Sequence, residues 1–172
     1  GNLYDTFMRK AGIRPAHGSK LSEIASKGSF VALPYTVKGM NLQFSGLLTA
    51  ALSSLNKGEN LANVAHSLME TSMYMVAEAT ERALHLTRAG SLVLCGGVAQ
   101  NKRLQEIIRI IGEDNGIAVG IAEDSLNRDN GAMIAYAGSL LYKKFGPTEA
   151  GSLIAMPNYR IDQIREVASS SY

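Results

Sequence analysis

Two glycines, an asparagine and an aspartate in the second half of the chain have the types and spacing to hold an anion and a cation. Gly96-Gly97 follow a short apolar run, Leu92-Val93-Leu94-Cys95. Asn101 comes soon after, where a helix opens and continues through Leu104, Ile107, Ile108 and Ile111. Neither glycine carries a Cβ, so the backbone can approach a ligand closely. The helix just beyond presents free N–H groups and a partial positive charge of roughly half a unit. Together these make a seat for a nucleotide or another anion; the same strand, turn and helix also describe a plain βα turn. Further on, Asp129-Asn130-Gly131 opens a helix of small and apolar residues. Asp129 either caps that helix or, facing the glycine turn across a cleft, holds a cation.

The elements that must position these residues follow from periodicity. Strands are expected over 92–95 and 117–122, with a helix between them and a last long helix over 129–145 closed by Gly146-Pro147. Two strands alone leave an open edge, a template for pairing with another chain, so self-association is expected. Upstream, Leu3, Phe7, Met8 and Ala11 recur at helical spacing over 3–11, and Gly12 stops that helix. A turn at 14–18 leads to a second helix for which Ser19 is a cap. Residues 30–35 read as an extended apolar segment with Pro34 near its end, and 36–45 as a loop whose Ser45 caps the next helix. Two helices, 46–56 and 60–88, flank Asn56-Lys57-Gly58. The longer is expected to bury Leu61, Val64, Ala65, Leu68, Met75, Val76, Ala79 and Leu84, with Met69, Met73 and Met75 as core filling. His66/Glu70 and Glu81/His85 are four apart, which suits helix-surface pairs. Neither makes the HExxH pattern of zinc proteases.

Composition bounds the rest. A chain of 172 residues suits one domain or a large piece of one. With 46% hydrophobic and 19% charged residues it is globular rather than disordered. A formal charge of +2 provides no strong electrostatic footprint for nucleic acid. The single cysteine excludes an intramolecular disulfide and fits a reducing compartment. Cys95, at the end of an apolar run, is expected to be a buried, inert thiol. No apolar run is long enough to span a membrane, and no segment reads as a signal peptide. The start at Gly1-Asn2, without a methionine, suggests part of a longer protein.

Four segments, in order, resemble the glycoprotease-like family, also called O-sialoglycoprotein endopeptidase-like. They are GNLYDTFMRKAGI at 1–13, LPYTVKGMNLQFSGLLTAAL at 33–52, GGVAQNKRLQE with DNGAMIAYAG around the glycine turn and Asp129, and NYRIDQI at 158–164. Archaeal and eukaryotic members are the nearest in pattern, and the resemblance covers nearly the whole chain. It implies an α/β fold: part of an actin, sugar-kinase and chaperone-ATPase-like (ribonuclease H-like) lobe, helix-rich with an incomplete sheet. The chain would be the C-terminal portion of a two-lobed protein whose first lobe lies outside it. Within it, 1–88 would be a mainly helical insertion, 89–146 the nucleotide-binding core and 147–172 a tail.

The implied activity is transfer of a threonylcarbamoyl group from its adenylate to the adenosine beside the tRNA anticodon, the chain alone being inactive. A metallopeptidase or sugar-kinase-like ATPase on the same fold, or a non-catalytic partner-binding portion, are the alternatives. Matching motifs carry the substrate or nucleotide contacts onto Asp5, Gly18, Gly96, Gly97 and Asn101, and a metal contact onto Asp129; no residue is assigned as a covalent nucleophile. Expected ligands are ATP or threonylcarbamoyl-adenylate and one divalent ion, iron or zinc. Expected partners are tRNA, a small protein kinase and the other subunits of the KEOPS assembly. The implied compartment is the cytoplasm, or also the nucleus in a eukaryote. The chain departs from the family pattern at His17, Ser22 and Asn41. Lys38 and Arg160 are basic residues that could face a phosphate or stay solvated.

Similar proteins hold their metal with a histidine pair spaced i, i+4 in the first lobe and one aspartate in the second. Here Asp129 matches the aspartate, and the three histidines, His17, His66 and His85, form no such pair. One carboxylate is too small a donor set for tight, selective binding of a transition metal. Plasma metal analysis of the dialysed chain is therefore expected to find far less than one ion per chain; a stoichiometric metal would overturn this.

Overall fold

A helix that starts at Asn60 and does not stop for seven turns organises the first part of the molecule. In the computed structural model, which describes residues 1–152 and 154–157, α4 spans Leu61–Thr87. The Asn60 side chain accepts the Ala62 N–H at 2.8 Å, closing one of the open donors of the first turn. Arg88 ends the helix in the left-handed conformation, φ 52°. Val64, Ala65, Leu68, Met75, Ala79 and Leu84 are buried as expected, whereas Leu61 and Val76 are half-buried. Met69, Met73 and Met75 fill the core.

The burial of α4 is not confined to one stripe, because helices pack against it from several sides: α2 (Gly18–Ala25), α3 (Phe44–Asn56) and α5 (Lys102–Asn115). Polar residues on α4 are therefore buried too; Ser67 and Ser72 find partners, whereas the Thr71 hydroxyl has none among the described residues. Ser67 Oγ donates to the Asn63 carbonyl and accepts the Val31 N–H, both at 2.7 Å. Ser72 Oγ donates to the Met69 carbonyl at 3.0 Å and bonds the Tyr4 hydroxyl at 2.8 Å. Tyr4 lies on α1 (Asn2–Lys10) beside Phe7 and Met8, all three buried, and Gly12 past its end has φ 74°.

Several local expectations are corrected. The second helix is capped by His17, not Ser19: the His17 ring nitrogen accepts the Ser19 N–H at 3.3 Å and bonds the Ser19 hydroxyl at 2.9 Å. The segment 36–45 holds a small antiparallel hairpin, β1 (Val37–Lys38) with β2 (Asn41–Leu42), made possible by Gly39 at φ 62°. Arg82 on α4 donates to the Gly39 carbonyl at 2.8 Å. Tyr35, just before the hairpin, donates to Glu78; burial first, and the neighbouring carboxylate next, push its phenol up to about 12. Helix α3 begins at Phe44, so Ser45 lies inside it and Gln43 occupies the cap position.

Strand β3 (Ser91–Leu94) pairs in parallel with β4 (Ala118–Ile121), Leu92 opposite Val119 and Leu94 opposite Ile121. Helix α5 crosses between them and covers one face. Gly112 on that helix lets it sit close, since a Cβ there would strike the Val119 side chain. On the other face, Val93 is 70% exposed. Cys95, expected to be buried, is exposed just beyond the strand end.

The chain divides into two units, Gly1–Arg128 and Asp129–Tyr172. In the second, α6 (Gly131–Phe145) is capped by Asn130, whose side chain accepts the Met133 N–H at 2.8 Å, and ends at Gly146 with φ 77°. None of its side chains is buried; Met133, Ile134, Tyr136, Tyr142 and Phe145 are all exposed. The NYRIDQI segment and Arg160 lie outside the described residues.

Two outcomes are expected. A Cβ at Gly28 would fall on the backbone of Ala62 and Asn63 at the start of α4. Gly28→Ala is therefore expected to lower stability by ~1–3 kcal/mol in urea unfolding, the scale of overpacking; a variant as stable as its parent would refute that packing. The bare strand face and uncovered α6 should make the isolated chain self-associate, and light scattering showing only monomer at high concentration would count against it.

Candidate functional site

The end of β3 sets the site. Gly96 has φ 102° and ψ 170°, a conformation open essentially to glycine alone. Its N–H donates to Asn127 Oδ1 at 3.0 Å, while Asn127 Nδ2 donates to the Ala122 carbonyl at 2.7 Å. Asn127 is only 3% exposed, so it joins the ends of both strands and holds the turn between them. A short 3-10 turn, Gly97–Gln100, follows. Its bonding begins with the Ala99 N–H to the Gly96 carbonyl at 2.9 Å. The N–H groups of Gly97 and Val98 therefore stand at its open end, whereas that of Gly96 is already engaged.

Asn101 then caps α5. Its Oδ1 accepts the N–H of Arg103 at 2.9 Å and of Leu104 at 3.2 Å. Because two donors meet that atom, it must be the oxygen, which fixes which way the amide is turned. Nδ2 consequently points the other way and donates to Ser22 Oγ on α2 at 3.3 Å. Between α2, α4 and the start of α5 lies a cavity of about 140 Å³ lined by Ser22, Ala25, Ser26, His66, Met69, Glu70, Met73, Asn101 and Arg103.

One wall of that cavity is charged. Arg103 meets Glu70 through Nε at 3.0 Å and Nη2 at 3.1 Å, a two-pronged contact, and Glu106 through Nη1 at 2.8 Å. Its Nη2 also donates to the Tyr74 hydroxyl at 3.0 Å, and the guanidinium lies 5.9 Å from the Tyr74 ring centre. The hydrogen bond to Glu70, then that to Glu106, strengthens its hold on its proton. Glu70 is thus engaged across the helix interface with Arg103. Among the described residues no three His, Cys, Asp or Glu side chains gather as a metal cluster.

The other expected contacts fall as follows. Asp5 is half-buried in the first turn of α1. Gly18 opens α2, and a Cβ there would lie 3.9 Å from the Tyr4 ring. The start of α1 reaches the glycine turn, where a Cβ on Gly1 would touch the Val98 side chain at 3.6 Å. Contacts therefore link α1, α2, the glycine turn and Asn101 within the first unit. Asp129 begins the second unit, and its neighbour Asn130 takes the capping role for which Asp129 is a candidate in the sequence.

Three residues here escape sequence reasoning. Asn127 reads along the chain as one more turn former. Arg103 lies inside the GGVAQNKRLQE motif, where the sequence shows only its i+3 partner Glu106 and not Glu70. Glu70 shows a sequence neighbour only in His66, on the same helix.

Comparison with known proteins adds to this geometry. The sequence model described as TsaD, tRNA N6-adenosine threonylcarbamoyltransferase, matches residues 1–136. A probable bifunctional tRNA threonylcarbamoyladenosine biosynthesis protein of Methanobrevibacter smithii is 41% identical over 95% of this chain and 30% of its own length. The tRNA N6-adenosine threonylcarbamoyltransferases of Archaeoglobus fulgidus and Thermococcus kodakarensis are 42% and 40% identical, over 95% and 97% of this chain and 51% and 52% of theirs. The chain thus spans about a third to a half of the length of these relatives. Among solved structures, HypF of T. kodakarensis superposes with a TM-score of 0.56 at 25% identity, over 75% of this chain and 17% of that one. The fold is the expected one, a helix-rich α/β portion of the actin-like, ribonuclease H-like lobe with an incomplete sheet. On the extent of the match and the identity of these relatives, this chain belongs to the tRNA N6-adenosine threonylcarbamoyltransferase family.

Proposed function

We propose that the protein carrying this chain transfers threonylcarbamoyl from its adenylate to the adenosine beside a tRNA anticodon, and that this chain supplies part of the adenylate seat. The observation that carries the proposal is Asn101: its oxygen is consumed by the helix cap, so its amide offers hydrogen toward the cavity. The open N–H groups of Gly97 and Val98 suit the anionic part of an adenylate. Asp5 and Gly18 are proposed contacts to the same ligand, through the elements that touch the glycine turn and Asn101.

In the reaction, the exocyclic amine of the adenosine attacks the carbamoyl carbonyl. A carbon–nitrogen bond forms, the bond from that carbon to the phosphate oxygen breaks, the amine loses a proton, and AMP leaves. No nucleophilic side chain is required. The contribution of these residues is to bind and orient the donor, a large part of the barrier in a bimolecular transfer.

The family's divalent ion, iron or zinc, would find one carboxylate here in Asp129. Among the described residues no cluster of three donors is present, so Asp129 would be one ligand of that ion and not its whole donor set. tRNA, a small protein kinase and the remaining KEOPS subunits are the proposed partners. Among the described residues, no helix is long and apolar enough to cross a membrane.

The test replaces one atom group. In the full-length protein, Asn101→Asp keeps a good helix cap but puts a carboxylate oxygen where the amide hydrogens face the ligand. Transfer to tRNA is expected to fall by roughly tenfold or more, the cost of losing a hydrogen bond and opposing an acceptor with an acceptor, with the melting temperature little changed. Asp129→Ala serves as the control for the metal contact. Full activity of the Asn101→Asp enzyme would remove Asn101 from the substrate site.

A further inference from the structure

The ion pair beside the cavity has a feature that fold stability does not explain. Arg103 is 39% exposed and Glu70 17%, and pairs this open to water contribute little to global stability. Yet the guanidinium is held on every prong: by both Glu70 oxygens, by Glu106, and by the Tyr74 hydroxyl. Only a planar fork can make that set of contacts. The residue so held is the one whose own N–H, at 2.9 Å, fixes the oxygen of Asn101.

We propose that Glu70 and Arg103 are a positioning pair. They pin the first turn of α5 to α4, so that Asn101 meets its ligand as a hydrogen-bond donor only. This rests on the reading above that Asn101 touches the adenylate. The chain of causes is short. Glu70 on α4 fixes the Arg103 side chain, which fixes the first-turn backbone, whose Arg103 and Leu104 N–H groups take both acceptor positions of Asn101 Oδ1. The amide hydrogens are then turned toward α2 and the cavity. The ligand group this suits is an acceptor: a purine ring nitrogen, a ribose oxygen or a phosphoryl oxygen. An exocyclic amine is the wrong partner, since no acceptor capacity remains on Asn101. Without the pair, the first turn can fray and the amide can turn over.

The test uses the full-length protein, isotopically labelled, with AMP as the probe, comparing the parent with Glu70→Gln, Arg103→Gln and the double variant. Three readouts are followed by nuclear magnetic resonance: solvent exchange of the Arg103 and Leu104 amides, exchange of the Ile107 and Ile108 amides in the same helix, and the shift of the Asn101 side-chain amide on adding AMP. Each single variant is expected to speed exchange at Arg103 and Leu104 and to weaken the AMP response by about tenfold, the scale of a charged hydrogen bond. Exchange at Ile107 and Ile108 and the unfolding midpoint should stay at the parent values, and the double variant should be no worse than either single one.

Unchanged exchange at Arg103 and Leu104 would overturn the pair's role. So would additive losses in the double variant, or a uniform loosening of α5 with a lower midpoint, which marks ordinary structural support. If AMP leaves the parent's Asn101 amide unmoved, the adenylate reading is what fails; the exchange pattern still decides for or against the pair.

Discussion

The first unit depends on the need of one long helix to bury more than a single face. A 27-residue helix packed on one side only would expose most of its length. Here α2, α3 and α5 each take part of it, and the sequence answers with small and flexible side chains at the contacts. Ala65, Ser67, Ser72 and Ala77 allow close approach, and three methionines fill what is left. Gly28 belongs to the same solution: the chain leaving α2 passes against the backbone at the start of α4, where nothing larger fits. Because α4 is fixed from several directions, its Glu70 is a fixed point from which the first turn of α5 can be held.

That arrangement separates two demands that compete at a helix N-terminus. A cap residue must spend its oxygen on the helix, and a ligand contact must be free to face the ligand. Asparagine meets both because it carries an acceptor and a donor on one rigid group; aspartate, serine and threonine cap as well but do not present an NH2. The cap at the other turn is again an asparagine, Asn130, one residue after Asp129. The division between oxygen and amide appears also in Asn127, whose oxygen takes the Gly96 N–H and whose amide takes the Ala122 carbonyl. Three asparagines thus fix the backbone on either side of the glycine turn and at the start of α6, with no charge buried.

The features legible in the amino-acid sequence are mostly local. The 3.6-residue spacing of Leu3 and Phe7, of Val64, Leu68 and Met75, and of Leu104, Ile107 and Ile111 marks true core faces, and the strands near 92–95 and 117–122 are found to within a residue or so. The features that escape depend on side chains meeting across space. His17 takes the cap from Ser19 because an imidazole nitrogen two positions earlier reaches the Ser19 N–H. The hairpin at 37–42 is only two residues a side, too short for alternation to show, and it is held by Arg82 from more than forty positions away. Cys95 ends an apolar run and so reads as buried, yet the strand stops at Leu94 and the thiol is exposed. Arg103 and Glu70 are 33 positions apart, and only the packing of α4 on α5 brings them together.

The exposed surfaces follow from the same logic of pairing. Parallel strands are normally covered on both faces, since a crossover helix lies on one side and further helices on the other. In β3 and β4 the α5 side is covered, whereas Val93 has most of its surface exposed. Helix α6 is rich in large apolar residues, yet none is buried. A helix with that composition does not gain stability from water contact; its propensity and caps hold it locally, while its apolar side chains remain available to bury. The buried core lies in the unit that also carries Asn101, Arg103 and the glycine turn. Unburied apolar surface lies where covering by other protein would gain most.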